Sequence, residues 1–516
     1  MLKKLKIPYT MTLIVITIFY INFQLDENIL FFADNSTKYF QGIAVIYNHF
    51  KDDTIRCQWL SDFNYCKYFI FTNTMERKGD TIVGAFPFAL SYLNGLIIQY
   101  LGHEWILWLP EILFVLMVLF LYHYKLLDQS LIFILFFLTP LFLQFYTFFD
   151  VALQIFFLNF LWIYLTKLKI NEINPFSAFL LGFLTGLNFY FRMEGIFYLF
   201  FVVGLFFLLD KNKKFHFIYG FGILVSMILL LGLNSYFYNT IFGNRILMNL
   251  DSIFNFKNKM SNVVSILFGN SWRVGYFFYM PVFLWVYLFA ILHFKKMDLF
   301  WKIQLISILV SMIFLVFLAP NDSNVDYGTR YLSSLIIPSL LLYDFLKRDS
   351  LKKRRVLNFL IFILLMVSAY FSYQYFNKMV FKVNRDAGLI YNQIPEEFRN
   401  NTVWVFHSNF VPSLMGAYLM DNKSIIVEHL DEVEDVINII NKKDDFKKVL
   451  VFHSYFYLNL QYPDEQKLSD RFFYEDDLVK EEFLSKLKAS NFALLKKEIF
   501  VRNKKVFDVF TLKKSM

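Results

Sequence analysis

Long apolar runs separated by short polar segments dominate the chain up to about residue 376. Each run is about twenty residues long and nearly free of charge, which is the length that an α-helix needs to cross a bilayer. The runs predict spanning helices at about 7–25, 105–124, 130–147, 149–166, 177–192, 195–210, 216–240, 276–294, 299–319, 331–346 and 355–375. The predicted fold class is therefore a polytopic α-helical membrane protein with about eleven transmembrane helices.

The positions of the basic residues predict an orientation for these helices. Basic clusters lie between the apolar runs, at Lys3–Lys6, Lys167–Lys169, Lys211–Lys214, Lys295–Lys296 and Lys347–Arg355. Such clusters mark cytoplasmic loops, and all of them share one side only if the apolar segment 81–101 does not cross. That segment is therefore predicted to be a re-entrant or interfacial helix on the outer face. The N-terminus is then cytoplasmic, as a retained signal anchor, and the C-terminus is extracytoplasmic.

Composition agrees with a membrane protein and adds one feature of the first outer loop, 26–104. Hydrophobic residues are 57% of the 516 residues, compared with about 45–50% in soluble domains, and the mean hydropathy is +0.46. The net charge of +9 comes from the loop clusters, so it does not indicate a nucleic-acid partner. Cys57 and Cys66, the two cysteines of the chain, both lie in this loop. They predict a disulfide in an oxidising compartment, with two free thiols as the alternative.

The composition changes after about residue 376, where the chain becomes charged and typical of a soluble domain. The sequence predicts short strands at Thr402–Ser408, Ser424–Val427 and Lys448–Ser454, an amphipathic helix at Asp431–Lys442, and a final hairpin turning at Asn503. This order predicts an extracytoplasmic α/β domain over 377–516, after a transmembrane domain over 1–376.

Two of these strands end alike, in His407-Ser408 and in His453-Ser454. One hypothesis is that both histidines line a pocket at the carboxyl ends of parallel strands, where sites in α/β domains often form. The alternative is that two similar buried strands end in polar caps.

Ionisable residues at the predicted outer ends of the helices form the candidate site, because charges at membrane depth are costly and often functional. The group comprises Asp34, Asp150, Arg192, Glu194, Arg245, Arg273 and Arg330, with Glu104 and Glu111 nearby. A carboxylate can accept a proton from a hydroxyl, and an arginine can bind a phosphate through two hydrogen bonds. Structural alternatives exist for each: the two aspartates as helix N-caps, Arg192 and Glu194 as a mutual pair, and Arg330 as an interfacial side chain.

Short motifs along residues 10–350 resemble, in order, those of the GT-C superfamily of membrane glycosyltransferases, which includes protein mannosyltransferases and aminoarabinose transferases. They are Ala33-Asp34-Asn35, Phe86-Pro87-Phe88, Phe149-Asp150, Gly182-x3-Gly186 with Arg192-Met193-Glu194-Gly195, Tyr238–Asn244, and Gly328-Thr329-Arg330-Tyr331 with Pro338. The chain departs from the family in two places: Asn35 stands where a second acid is usual, and a double proline is reduced to Pro87.

The resemblance implies an inverting transfer of a sugar from a polyprenyl-phosphate carrier to a hydroxyl acceptor, which is a cell-envelope glycan, a lipid as in lipopolysaccharide biosynthesis, or a protein. The reaction would take place at the outer face of a bacterial plasma (inner) membrane. Asp34 would be the base and Asp150 would orient a substrate. The residues expected to bind the lipid phosphate or substrate are Arg330, Tyr331, Arg192, Glu194 and Lys78.

No metal-ligand motif is present in the sequence, yet Asn35 leaves the use of a divalent cation open. Two other functions remain as alternatives. A flippase or transporter of lipid-linked oligosaccharide is one, although it would be expected to show an internal repeat and charges near mid-membrane. An O-antigen polymerase or ligase is the other. The sequence does not determine the sugar, the acceptor or the oligomeric state.

Overall fold

The computed structural model describes residues 9–25, 33–56, 75–78, 81–147, 149–244, 259–270, 273–319, 328–348, 355–381, 384–385, 388, 391–392, 394, 396–398, 402–407, 423–442, 447–452, 474–490, 492–501 and 504–512. The chain divides into two compact units. The helical unit comprises Met1–Ile21, Pro87–Leu90 and Trp105–Phe376, and the mixed unit comprises Asn22–Phe86, Ser91–Glu104 and Asn377–Met516.

The elements of the first part of the chain, in order, are α1 (Tyr9–Gln24), α2 (Ala33–Tyr47), β1 (Ile55–Arg56), β2 (Met75–Lys78), β3 (Thr81–Gly84), α3 (Phe88–Leu101), α4 (Trp105–His123), α5 (Gln129–Phe133, followed by a π-helical turn at Ile134–Leu138), α6 (Leu141–Thr147), α7 (Phe149–Leu158), α8 (Phe160–Lys169), α9 (Pro175–Gly186, followed by a 3₁₀ turn at Leu187–Tyr190), α10 (Gly195–Leu209) and α11 (Lys213–Tyr238).

The later elements are α12 (Lys259–Phe268), β4 (Gly269–Asn270), β5 (Arg273–Val274), α13 (Tyr276–Tyr279), α14 (Pro281–Leu292), α15 (Leu299–Leu318), a 3₁₀ helix at Gly328–Leu335, α16 (Ile336–Leu346), α17 (Arg355–Tyr375), β6 (Thr402–Phe406), β7 (Lys423–Ile426), α18 (Val433–Lys442), β8 (Lys448–Phe452), α19 (Tyr474–Ala489), β9 (Phe492–Val501) and β10 (Lys504–Leu512).

The helical unit contains helices of membrane-spanning length. Among the described residues, five segments are long and apolar enough to cross a bilayer: Trp105–His123, Phe149–Lys169, Lys213–Tyr238, Leu299–Leu318 and Asn358–Tyr375. Shorter apolar helices such as α1, α10 and α14 accompany them. The chain is therefore a helical membrane protein, as its hydropathy predicted. The count of eleven spans stays a prediction.

Local signals set the starts of several helices in this unit. Asp128 accepts a hydrogen bond from the N–H of Leu131 (2.9 Å) at the start of α5, and Asp298 accepts one from Trp301 (3.0 Å) at the start of α15. Asn174 caps α9 in the same way, and Pro175 occupies the first position of that helix. Side-chain oxygens at the cap position satisfy backbone donors that have no partner within the helix, and proline suits the first turn because it has no N–H.

Glycines allow α9 and α11 to pack with their backbones in close approach. A Cβ atom at Gly182 would lie 2.1 Å from the carbonyl oxygen of Tyr219, and one at Gly222 would lie 2.3 Å from that of Phe179. Gly186 faces Ser226 in the next turn, where a Cβ would lie 2.6 Å from the serine Cβ. Small residues four apart commonly allow such packing between membrane helices. The Gly182-x3-Gly186 motif thus has a packing role, which holds the end of α9 in place.

Only part of the segment 81–101 is helical. Its first four residues form β3, which pairs antiparallel with β1 and with β2, and α3 begins at Phe88. At 1.5 Å per residue, the 14 residues of α3 extend about 21 Å, less than the hydrocarbon thickness of about 30 Å. The prediction that 81–101 does not cross the membrane remains a prediction.

The C-terminal strands lie in one five-stranded sheet of order β7-β6-β8-β10-β9. β6 is parallel to β7 and to β8, whereas β10 is antiparallel to β8 and to β9. The strands and α18 agree with the predicted elements to within one or two residues at most ends. α18 and α19 bury Val436 and Phe483 in a core with the central strands. β6 and β8 are buried at nearly every position, which is the pattern of parallel strands that are covered on both faces.

Candidate functional site

Asp150 lies in the first turn of α7 and its side chain is fully buried, at 0% exposure. The alternative interpretation placed it as the cap of a helix starting at residue 151. That interpretation is wrong, because α7 already includes Phe149. The carboxylate instead faces Arg192: its Oδ2 atom lies 3.0 Å from the arginine Nη1. Asp150, which the sequence indicated as a candidate, thus contacts a residue 42 positions further along the chain.

Arg192 reaches this position through the turn that connects α9 with α10. The 3₁₀ turn continues α9 to Tyr190, and the N–H of Arg192 donates to the carbonyl of Asn188 at 3.2 Å. The turn is anchored because α9 packs closely on α11, and Tyr190 donates its hydroxyl to the carbonyl of Ser226 (3.0 Å). The arginine side chain is therefore held by rigid elements on both sides of the turn.

Glu194 completes a buried ion group around Arg192. The arginine Nε donates to Glu194 Oε1 at 3.1 Å, and the side chain of Glu194 is 20% exposed whereas that of Arg192 is 0% exposed. Burial of a guanidinium carries a large desolvation cost, which only close, well-oriented partners offset. The suggested pairing of Arg192 with Glu194 is confirmed, and Asp150 joins it. Two carboxylates and one guanidinium leave one net negative charge in the group.

Arg330 is a second arginine close to this group. It lies in the 3₁₀ helix Gly328–Leu335, which packs against α7, α10, α12 and α15, and its positive charge repels that of Arg192. Unlike Arg192 it is only half-buried, and its guanidinium carbon lies 5.2 Å from the ring centroid of the buried Tyr331. Ser333 donates to Gln144 Oε1 on α6, which fixes this helix against its neighbours. The structure therefore brings together Asp150, Arg192 and Glu194, with Arg330 and Tyr331 nearby.

Lys259 is a buried cation that the sequence analysis missed. It opens α12 and donates from Nζ to the carbonyl oxygen of Ala319 at 2.8 Å, at the C-terminal end of α15. The side chain is 3% exposed. A lysine at a helix C-terminus satisfies an unpaired carbonyl and interacts favourably with the helix dipole. The sequence carried only a weak signal, because Lys257 and Lys259 lie among polar residues just before the apolar part of α12.

Several predicted site residues lie in the mixed unit. Asp34 is the second residue of α2, so it lies within the first turn of the helix and does not precede it as an N-cap; its side chain lies outside the described residues. Lys78 ends β2, and its side chain also lies outside them. The predicted disulfide, Cys57 with Cys66, falls entirely outside the described residues.

One turn after Asp34, Lys38 is a second buried cation that the sequence analysis missed. Its Nζ lies 3.1 Å from Asn35 Oδ1 and 4.6 Å from the ring centroid of Phe86, and the residue is 2% exposed. The carbonyl of Lys38 accepts from Asn94 on α3 at 3.2 Å. These contacts give Asn35, which replaces the second acid of the resembled motif, a structural role beside Lys38.

The structure describes one of the two histidines that the sequence analysis indicated. His407 is buried at the end of β6, with its ring 5.4 Å from that of Phe483, whereas His453 lies outside the described residues. The hypothesis of a shared pocket therefore stays a prediction. Within the described ranges, no group of three or more His, Cys, Asp or Glu side chains is arranged to hold a metal ion.

Comparison with known proteins adds no relative. The chain matches no family model, and it matches no curated protein sequence. The class that the fold defines is a helical membrane protein, and the residues themselves are the basis for assigning an activity to it.

Proposed function

We propose that the chain is a membrane glycosyltransferase that moves a sugar from a polyprenyl-phosphate carrier to a hydroxyl acceptor at the outer face of a bacterial plasma membrane. In this proposal the chain crosses the bilayer eleven times, with the N-terminus cytoplasmic and residues 377–516 outside. The observation that carries it is the buried group of Asp150, Arg192 and Glu194, with the half-buried Arg330 close to it.

The half-buried Arg330 is the phosphate ligand in this reaction. A guanidinium that retains exposure can bind a phosphate through two hydrogen bonds, whereas Arg192 is already held by two carboxylates. Arg192 and its acids are therefore positioning residues: they supply a fixed electrostatic environment beside the helix of Arg330. This assigns Asp150 an orienting role, in keeping with its complete burial.

The chemical step uses Asp34 as the base. Its carboxylate takes the proton of the acceptor hydroxyl, and the oxygen attacks the anomeric carbon. The bond between that carbon and the phosphate oxygen breaks, and the polyprenyl phosphate leaves with the electron pair. Direct displacement inverts the anomeric configuration, and the positive charge of Arg330 stabilises the developing phosphate charge.

A deletion strain tests this function. Envelope lipids and polysaccharides are compared by mass spectrometry between the deletion strain and strains that express the wild type, Asp34→Asn or Arg330→Ala. Loss of one sugar in the deletion strain and in both variants is expected. Matched controls are Glu76→Gln, an exposed acid of the same first loop, and Arg348→Ala, an exposed arginine next to α16; both should restore the sugar.

Two outcomes would contradict the proposal. Identical envelopes in the deletion and wild-type strains would exclude the transferase, and a complete glycan in a correctly inserted Asp34→Asn strain would exclude the base. Accumulation of an intact lipid-linked oligosaccharide on the cytoplasmic leaflet would instead indicate a flippase.

A further inference from the structure

Two buried amides next to the ion group have hydrogen-bonding atoms without partners. Gln154 is 1% exposed and Asn188 is 0% exposed. Within the part of the chain that the structure describes, Gln154 Nε2 and Asn188 Oδ1 have no hydrogen-bond partner, and they do not bond to each other. An unpaired amide group in an apolar interior is costly, because it has lost the hydrogen bonds that water would make. A further hydrogen-bonding group placed between the two atoms would therefore be bound favourably.

Both amides are attached directly to the candidate site. Gln154 lies one turn after Asp150 on α7, and the carbonyl of Asn188 accepts from the N–H of Arg192 at 3.2 Å. The other end of the Asn188 amide donates to the carbonyl of Thr185. This bond fixes the side chain and leaves Oδ1 as the open acceptor.

Gly195, the first residue of α10, allows the two amides to come close to one point. A Cβ atom there would lie 2.5 Å from Asn188 Oδ1 and 3.2 Å from Gln154 Nε2, so a side chain at this position would displace the Asn188 oxygen. The backbone of Gly195 is helical, so no unusual dihedral angle requires a glycine at this position. The absence of a side chain therefore allows both open atoms to approach the N-terminus of a 15-residue helix.

We propose that Gln154, Asn188 and Gly195 form a subsite that binds a hydroxyl group of the transferred sugar, which is a neutral hexose. This inference rests on the proposed function and names its substrate class. A hydroxyl both donates and accepts, so it satisfies the open acceptor of Asn188 and the open donor of Gln154 at once. A carboxylate would only accept and an ammonium would only donate, and the nearest guanidinium is already held by two acids.

Binding of short carrier analogues to the purified full chain in detergent tests the subsite without requiring turnover. The probes are farnesyl phosphate alone and farnesyl phosphate carrying glucose, galactose, mannose, glucuronic acid or glucosamine. For the wild type, at least one of the three neutral hexoses should lower the Kd about tenfold or more relative to farnesyl phosphate, and the two charged sugars should not.

Three variants remove parts of the subsite. Gln154→Leu and Asn188→Leu each delete one amide, whereas Gly195→Ala keeps both amides and places a methyl group against them. Each variant should reduce the gain in affinity that the neutral hexose gives over farnesyl phosphate about five- to tenfold. The Kd for farnesyl phosphate itself should stay within about twofold of the wild-type value. The matched control is Asn159→Leu: Asn159 is equally buried and also has an open amide oxygen, but it lies further along the α7–α8 segment. It should keep the full contribution of the sugar.

The outcomes separate this inference from the proposed function. If neither farnesyl phosphate nor any glycosylated form binds, the proposed function fails. If farnesyl phosphate binds but no neutral hexose adds affinity, or a charged sugar binds best, the subsite is wrong and the function survives. If Gly195→Ala leaves the hexose contribution unchanged, the two open atoms do not bind the sugar and the subsite is likewise overturned.

Discussion

Replacement of Arg192 by methionine removes the guanidinium that holds Asp150 and Glu194. The two carboxylates differ in burial: the side chain of Asp150 is 1% exposed and that of Glu194 is 20% exposed. Methionine retains much of the apolar volume of arginine, so the main effect is a buried carboxylate left without its partner. We therefore expect the loss at Asp150 to dominate the change in stability.

The burial of the two ion pairs sets the expected changes in the free energy of unfolding. Removal of one partner from a fully buried pair costs about 3–5 kcal/mol, whereas a pair that water partly reaches contributes about 1 kcal/mol or less. Arg192→Met should accordingly lower the free energy of unfolding by about 3–5 kcal/mol. Glu194→Gln should lower it by about 1 kcal/mol. The double variant Arg192→Met/Asp150→Leu should be at least about 2 kcal/mol more stable than Arg192→Met, because a hydrophobic pair can replace a buried ion pair at little cost.

The assay is reversible unfolding in mixed detergent micelles, followed by tryptophan fluorescence at one fixed micelle composition. Arg348→Met is the matched control, because the side chain of Arg348 is 64% exposed and pairs with Asp344 within one helical turn; its cost should be about 0.5 kcal/mol or less. The reasoning would be refuted if Arg192→Met cost no more than this control. It would also be refuted if the effects at Arg192 and Asp150 were additive, since coupled partners must deviate from additivity.

Two further predictions concern the helices that support the site. Asp128→Ala should cost about 1 kcal/mol because it removes the cap of α5, whereas Asp128→Asn should retain most of the stability. Burial raises the pKa of Asp128, but hydrogen bonds from the first turn outweigh it, and the pKa lies below its ordinary value. The wild type should therefore be more stable than Asp128→Asn above about pH 4, and this difference should be lost as the pH falls through the lowered pKa of the folded state. Unfolding curves of both proteins from about pH 7 to about pH 3 measure the difference. Gly182→Ala should lower the free energy of unfolding by about 1–3 kcal/mol, because the new Cβ forces α9 away from the carbonyl of Tyr219. The control is Gly232→Ala on α11, where no atom lies within 4 Å of the new Cβ and no loss of stability is expected. Equal thermal stability of the two variants would contradict the packing argument.

The sequence predicted the helices and strands well because their signals are local. Apolar runs of spanning length and the short strand sequences are contained within short stretches of chain, and the structure has helices or strands at those places. The span predicted at 149–166 begins where α7 does. The alternative roles of Asp34 and Asp150 as N-caps were wrong, because α2 begins at Ala33 and α7 at Phe149. Helix ends depend on how the neighbouring turn packs, which a local pattern does not contain.

The partners of the charged residues were harder to predict. Charge at the ends of helices indicated Asp150, Arg192 and Arg330 as candidates, but not which of them would be buried. Lys38 and Lys259 gave almost no signal, because a lysine beside an apolar stretch is usually an exposed or snorkelling residue. Each is buried by a contact with another element, the ring of Phe86 for Lys38 and the carbonyl of Ala319 for Lys259.

By itself, the sequence determined that this protein is a helical membrane protein and that an α/β sheet follows its last predicted span, since hydropathy and periodicity act over neighbouring residues. Only the tertiary structure decided that Asp150 holds Arg192, and that the amides of Gln154 and Asn188 meet at Gly195. These arrangements depend on the close approach of α9 and α11 and on the packing of α7 beside the α9–α10 turn. Packing between distant helices sets which polar atoms find partners, and no local pattern of residues encodes that outcome.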